Sequence, residues 1–288
     1  MENTSFEIAS YAKINLFLEV LGKQESGYHD LVTLFAEINL CDFLKFDLTK
    51  KGGLKILSSL DSLSSRDNLI YQVAVYIQAK YRVQYGAKIY LEKNIPIAAG
   101  LGGGSSNTAA TIDGLCRLWG LDLAKAEKHE IASRFGSDIN FFLEGFLAIG
   151  TNRGEVIEPL DSDLYFDNIL LVNPNYPISS GEAYQLLSPP SHPHKCGGIQ
   201  MLLEKKDPIY CFNRLEEGVL RKYPDLQEIK NLLIIQGAKK AMLSGSGPTM
   251  IAFFSDPTKC KNARNLVEGL NYRAYITSIR RRQHNENH

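Results

Sequence analysis

Twelve consecutive residues, Pro96-Ile97-Ala98-Ala99-Gly100-Leu101-Gly102-Gly103-Gly104-Ser105-Ser106-Asn107, place four glycines and two serines between a strand pattern and a helix pattern. Before them, Ala87, Ile89 and Leu91 alternate with Lys88, Tyr90 and Glu92, the period of a half-buried strand. After them, Ile112, Leu115, Cys116 and Trp119 recur at helical spacing, which predicts a helix over residues 108–118. Glycines allow close backbone approach, and a helix N-terminus offers unpaired N–H groups, so the stretch reads as an anion site for a phosphate chain. It is not a P-loop, because Gly104 is followed by Ser105-Ser106 with no lysine. The dinucleotide fingerprint fails at Ser105, where it needs a third glycine. Protein kinases are excluded, since no His-Arg-Asp or Asp-Phe-Gly follows. A flexible glycine turn with no ligand is the competing reading, which only the rest of the chain can decide.

The chain has 288 residues, long for one core, which suggests two domains or one large one. Its 32 basic residues equal its 32 acidic ones, so no net field favours a polyanion, and no nucleic-acid partner is expected. Arg280-Arg281-Arg282 is the one basic cluster and reads as a solvated end. Five scattered cysteines without a Cys-x-x-Cys pair point to reduced thiols and a cytoplasmic setting. No apolar run approaches the ~18 residues of a membrane span, so no membrane partner is expected. The polar N-terminus lacks the order of a signal peptide.

Along the chain, residues 6–21 read as one or two strands and residues 31–40 and 42–49 as a further strand pair. Ser65-Arg66-Asp67-Asn68 is a helix start before Leu69, Val73, Ile77 and Tyr81. Asp122 is read as the cap of a helix carrying Ala126, Ile131, Ala132 and Phe135 and stopping at Gly136. Residues 169–172 form a buried-strand run, and Pro224 opens a helix with Leu226, Ile229 and Leu233 on one face. Strands at residues 241–243 and 250–254 flank a second glycine loop, Ser244-Gly245-Ser246-Gly247-Pro248-Thr249. His192, His194 and Cys196 share a loop, but three scattered candidate ligands do not make a zinc site. Strands and helices mix without steady alternation, so the fold class is α+β. Acidic and polar residues near 159–167 mark a boundary, giving an N-terminal domain over residues 1–160 and a C-terminal domain over 161–288.

The two glycine loops, together with Lys13 and Asn15 in Ala12-Lys13-Ile14-Asn15-Leu16, resemble the motifs of the GHMP kinase superfamily. Gly27-Tyr28-His29-Asp30-Leu31, Asp67-Asn68-Leu69-Ile70, Gly136-Ser137-Asp138 and Arg153-Gly154-Glu155 extend the resemblance over most of the chain. They are similar to the branch whose substrate is a cytidine diphosphate-linked polyol. The resemblance implies a two-domain fold with a ribosomal-S5-like N-terminal core, and transfer of phosphate from ATP to the 2-hydroxyl of that small molecule. It makes Asp138 the catalytic acid–base residue and Lys13 its partner. An ammonium beside a carboxylate keeps it ionised and can also meet a transferring phosphoryl oxygen. The resemblance assigns Pro96, Ile97, Ala98, Ala99, Gly100, Leu101, Gly102, Gly103, Gly104, Ser105 and Ser106 to the ATP phosphates, and Asn68 to the adenine. Tyr28, His29, Ser180, Tyr184, Asn15, Gly245 and Ser246 fall to the substrate, with an aromatic ring stacking on cytosine. Tyr184 also reads as an ordinary amphipathic-helix aromatic packing under its neighbours. Phosphoryl transfer implies Mg2+, for which Ser105 or Ser106 is a candidate, although its ligands stay unassigned. A monomer or weak homodimer is expected.

Two departures stand out. Asn140 occupies a position where the superfamily branch usually has proline, and Asn213-Arg214-Leu215 replaces an Asn-Asp-Leu. The alternatives are another small-molecule GHMP kinase, for homoserine or mevalonate, and a non-catalytic ligand sensor on the same fold. Retained Lys13 and Asp138 argue against the sensor, and Gly27-Tyr28-His29 against substrates that have no base to stack.

Overall fold

Alternating apolar residues at Ile14, Leu16, Leu18 and Val20 produce a strand, and it runs further than the turn signals suggest. In the computed structural model, which describes residues 5–25, 27–50, 52–187 and 197–282, β1 spans Ser5–Lys23 and β2 spans His29–Thr49. The strand pair expected at 31–40 and 42–49 is therefore one continuous strand. Next come β3 (Leu54–Ser58), α1 (Leu69–Lys80), β4 (Gly86–Glu92), α2 (Gly103–Trp119), α3 (Lys125–Phe135) and α4 (Ile139–Glu144). Then follow β5 (Leu147–Asn152), β6 (Val156–Pro159), β7 (Ile169–Asn173), α5 (Ser180–Gln185), α6 (Gly198–Lys205) and β8 (Phe212–Asn213). The chain closes with α7 (Glu216–Lys222), α8 (Pro224–Ile235), β9 (Lys240–Leu243), β10 (Met250–Phe253), α9 (Pro257–Gly269) and β11 (Arg273–Thr277). Helices and sheets mix as α+β. His192, His194 and Cys196 lie outside the described residues.

Two compact units emerge. The first comprises Met1–Ala12, Leu40–Ile95 and Gly102–Glu144, the second Lys13–Asn39, Pro96–Leu101 and Gly145–His288. The first two boundaries fall inside strands, β1 and β2.

In the first unit, β4 pairs antiparallel with β2, setting Leu44 opposite Leu91 and Phe46 opposite Ile89, and pairs parallel with β3. Burial of these residues against Ile70, Val73 and Ile77 of α1, Ile112 and Leu115 of α2 and Ile131 of α3 makes one core. Apolar burial of this kind stabilises by roughly 25 cal/mol per Å2. Asn68 caps α1 as its sequence predicts, its side chain accepting from the Ile70 N–H at 3.0 Å. The cap of α3 differs from expectation. Ala124 is the N-cap residue, and Glu127 reaches back to accept from its N–H at 3.1 Å, so Asp122 plays no capping part.

In the second unit, an antiparallel sheet of order β11-β7-β10-β9 packs against α8 and α9. Leu226, Ile229 and Leu233 of α8 and Cys260, Ala263 and Val267 of α9 supply that core. β5 pairs with β2 and with β6, while β8 joins β1 in parallel through Phe17 and Leu18. The arginine cluster is not simply solvated. Arg280 pairs with Glu37 at 2.7 Å and lies over the Phe146 ring, and Arg281 lies over Tyr165. Among the described residues no helix is long and apolar enough to cross a membrane.

Candidate active site

Lys13 sits in the middle of β1, where strand alternation would normally leave a lysine at an edge, yet it is only 5% exposed. Its Nζ donates to Asn15 Oδ1 at 2.6 Å and lies 5.2 Å from the Phe35 ring centre. Asn15 Nδ2 in turn donates to Thr33 Oγ1 at 2.8 Å, and Thr33 donates to the Phe17 carbonyl at 2.7 Å. This relay orients the Asn15 carbonyl oxygen towards the ammonium, and all three side chains are buried.

Both glycine loops meet this lysine. The Lys13 N–H donates to the Leu101 carbonyl at 2.9 Å, and Ser244 Oγ donates to the Gly100 carbonyl at 3.2 Å. Gly100 has φ +74° and lies so close to the second loop that a Cβ would stand 2.1 Å from the Ser244 carbonyl oxygen. Gly245, at φ +54°, would place a Cβ 3.1 Å from Asn15 Oδ1 and 3.4 Å from Lys13 Nζ. Glycine is thus demanded by conformation and by contact at both positions. Lys13, Asn15, Gly100 and Gly245 are one cluster, and residues more than two hundred apart in sequence supply it.

Sequence reasoning missed the residues that hold the second loop. Asn213 Nδ2 donates to the carbonyls of Leu243 and Gly245 at 2.9 and 2.7 Å, and its Oδ1 accepts from the Leu215 N–H. Glu216 accepts from the Leu243 N–H at 2.7 Å and pairs with Lys230. The one sequence signal was the Asn213-Arg214-Leu215 segment itself, whose role could not be read without the fold. Asn213→Asp turns a donor pair into a carboxylate facing two carbonyls. We expect it to lower unfolding stability by at least about 1–3 kcal/mol. A urea midpoint equal to wild type would show that the loop does not depend on Asn213.

The aromatic residues also converge. His29 and Tyr184 stack with ring centres 5.0 Å apart at 21°. Burial pushes the His29 pKa below its usual value, and the nearby Lys23 adds to the effect, so the imidazole is neutral at pH 7. Ser180 and Tyr184 share one face of α5, and Ser180 Oγ lies 3.1 Å from Ser246 Oγ in the second loop. Tyr184 also packs at the margin of the second unit's core, as an ordinary helix aromatic would. Tyr28 is largely exposed, with the Arg153 guanidinium 4.8 Å from its ring centre.

The first unit carries the other predicted residues. Its helix α2 begins at Gly103, five residues earlier than the pattern predicts, so Gly103, Gly104, Ser105 and Ser106 form its first turn. Gly102 precedes them in the left-handed region at φ +68° with no side-chain cap, which leaves the first N–H groups for an anion. Ser106 Oγ is within 2.7 Å of Ser10 Oγ and buried, while Ser105 is partly exposed. The Asn68 amide is engaged at both ends, donating to the Leu63 carbonyl besides capping α1.

Asp42, fully buried, organises the approach to this turn. One carboxylate oxygen accepts from the Asn94 and Ile95 N–H groups at 2.7 and 2.8 Å. The other accepts from Lys93 Nζ at 2.7 Å and Asn107 Nδ2 at 2.8 Å. Backbone before the glycine stretch and side chain after it are thereby tied to one group. Burial lowers the Lys93 pKa, and the attraction of Asp42 opposes that. Neither residue carries a motif, so the sequence offered no signal for them.

Asp138 is partly exposed and immediately precedes α4. Asn140, the departure from proline, is buried, with Nδ2 donating to Ser133 Oγ at 3.0 Å and Oδ1 3.1 Å from His129 Nδ1. Among the described residues no group of three or more His, Cys, Asp or Glu could hold a metal ion.

Residues 68–145 match the family model described as GHMP kinases N terminal domain, and residues 200–268 match GHMP kinases C terminal. The fold is shared with a homoserine kinase from Cytophaga hutchinsonii (TM-score 0.69, 16% identity, covering 97% of this chain and 96% of that one). A crystal structure of 4-(cytidine 5'-diphospho)-2C-methyl-D-erythritol kinase superposes with TM-score 0.82 and 29% identity, over 95% of this chain and 99% of the other. Fold and glycine loops together define a small-molecule kinase of the GHMP class.

Sequence similarity is more particular. The chain is 38% identical over 273 residues to the 4-diphosphocytidyl-2-C-methyl-D-erythritol kinase of Prochlorococcus marinus (strain MIT 9312), covering 89% of this chain and 88% of that protein. It is also 38% identical over 266 residues to the enzyme of that name from Thermoanaerobacter pseudethanolicus, covering 89% of this chain and 90% of the relative. The chain belongs to the 4-diphosphocytidyl-2-C-methyl-D-erythritol kinase family.

Proposed function

We propose that this protein transfers the terminal phosphoryl group of ATP to the 2-hydroxyl of 4-diphosphocytidyl-2-C-methyl-D-erythritol, giving the 2-phosphate and ADP, a step towards isoprenoid precursors by the non-mevalonate route. The observation that carries the reading is the meeting of Lys13 with both glycine loops in a chain of this family. The stretch at residues 96–106 binds the ATP phosphates, with the open first turn of α2 facing negative charge. Lys13, buried and held by Asn15, supplies a positive charge for the transferring phosphoryl oxygens. Asp138 is the acid–base residue. Because the transition state of phosphoryl transfer is loose, it orients the hydroxyl first and takes the proton late.

The acceptor's cytidine end goes to Tyr28, His29 and Tyr184. Rings already stacked at 5.0 Å leave no layer between them, so the cytosine stacks on an outer face. A neutral His29 does this without desolvating a charge. Ser180, Gly245 and Ser246 line the same side, and Asn68 falls near the adenine. Mg2+ fits this donor set only in part. The Ser105 hydroxyl is available whereas Ser106 already meets Ser10, so phosphates and water would provide most ligands. Bound there, the ion would neutralise phosphate charge. A cytoplasmic monomer or weak homodimer, with the ATP loop in a domain over residues 1–160, completes the reading.

ADP release measured with the cytidine-linked acceptor, homoserine and mevalonate in parallel tests it. Turnover with the cytidine-linked acceptor alone is expected. Turnover with mevalonate or homoserine alone would overturn the substrate, and none with any acceptor would overturn catalysis in favour of a ligand sensor.

A further inference from the structure

One imidazole holds both ends of the short helix that follows Asp138. His129 of α3 lies with Nδ1 3.1 Å from Asn140 Oδ1, at the second position of α4. Its Nε2 lies 2.7 Å from Oε1 of Glu144, the last residue of α4. The other Glu144 oxygen accepts from Lys125 at 2.7 Å. Asn140 Nδ2 donates to Ser133 Oγ, which itself donates to the His129 carbonyl at 2.9 Å, so the amide's orientation is set and its oxygen faces the ring. A helix of six residues has few internal hydrogen bonds and little rigidity of its own. Its placement therefore depends on these external ties.

We propose that His129, acting through Asn140, is a positioning residue for Asp138. The inference rests on the catalytic role given to Asp138 above. Both atoms facing the ring are oxygens, so the imidazole bridges the second and last residues of α4 through its two nitrogens. The charged groups facing His129 are Glu144 from α4 and, through it, Lys125 on its own helix. Lys128 and Glu130 on α3 are engaged elsewhere, with Asp113 and Lys80. Burial raises the Glu144 pKa, but hydrogen bonds from Lys125 and His129 outweigh that and hold it below the usual range. Glu144 is thus a charged acceptor shared by the ring and Lys125.

The test is a double-mutant cycle in the full chain with His129→Ala, Asn140→Ala and both together. We expect each single variant to lower kcat roughly tenfold, the effect of a sub-ångström misplacement of a reacting group, with both KM values unchanged. The double variant should be no slower than either single, because the two act in series. Additive losses, or an unchanged kcat in a folded His129→Ala, would overturn the proposal. Hydrogen exchange of the amides of residues 138–144 gives a second readout that needs no turnover. Faster exchange confined to that segment in both single variants supports the clamp, and unchanged exchange overturns it. A wild-type protein lacking activity would refute the kinase reading separately.

Discussion

Replacing Asp138 by asparagine is expected to lower kcat by about 10²–10⁴-fold, the usual contribution of a positioned acid–base group. The affinity for ATP should stay within about twofold, because the stretch at residues 96–106 proposed to bind the phosphates does not include Asp138. The substitution preserves shape and removes charge and basicity, so a loss confined to kcat isolates the proton-transfer role. Equilibrium binding of an ATP analogue and steady-state ADP release on the same preparation make the comparison. A variant that turns over at near wild-type rate would transfer the acid–base role to another group.

The largest expected effect on stability comes from Asp42→Ala. This carboxylate accepts four hydrogen bonds, two from backbone N–H groups before the glycine stretch and one each from Lys93 and Asn107. The side chains of Asp42 and Lys93 are 0% and 4% exposed, so removing one partner leaves an uncompensated buried charge. Loss of about 3–5 kcal/mol of unfolding free energy is the usual consequence. The pH dependence has a definite sign. Burial already depresses the Lys93 pKa, and without Asp42 nothing opposes that, so the unpaired lysine sheds its proton more readily. A depressed lysine pKa makes the folded state bind fewer protons than the unfolded one, so stability rises with pH through that range. The deficit of the variant relative to wild type should therefore shrink as pH is raised from 7 towards 10, in denaturant titrations at each pH. A deficit constant with pH would mean that Lys93 is not left charged and buried.

Local signals explain much of the fold. Proline at the start of α8, Asn68 before α1 and the apolar run of β7 all form what their residue types favour, because short-range preference and burial agree there. Where expectation failed, tertiary packing overrode a local signal. Cys41 looked like a break between two strands, yet β2 runs through it, and Asp42 beside it turns inward to a buried lysine. Asp122 had the composition of a cap, but Ala124 takes the N-cap position and Glu127 accepts from its N–H from inside the helix. The three C-terminal arginines lie on aromatic rings contributed from residues 146 and 165, a pairing no local pattern reports.

For the site the division is sharper. The sequence by itself determined the kinase class: two glycine loops, a lysine and an aspartate stand in recognisable motifs. Such motifs are local because a phosphate or a ring is met by a few adjacent residues. Only the tertiary structure decided how those pieces are held. The cluster at Lys13 needs backbone from residues 100 and 245, Asn213 and Glu216 grip the second loop, and Asp42 ties together residues 94, 95 and 107. These supports act through single hydrogen bonds to distant main chain, which any buried asparagine or carboxylate could supply from many sequence positions. The glycine stretch could be read in one dimension; the groups that keep it in place could not, because distance along the chain says nothing about which buried donor reaches which carbonyl.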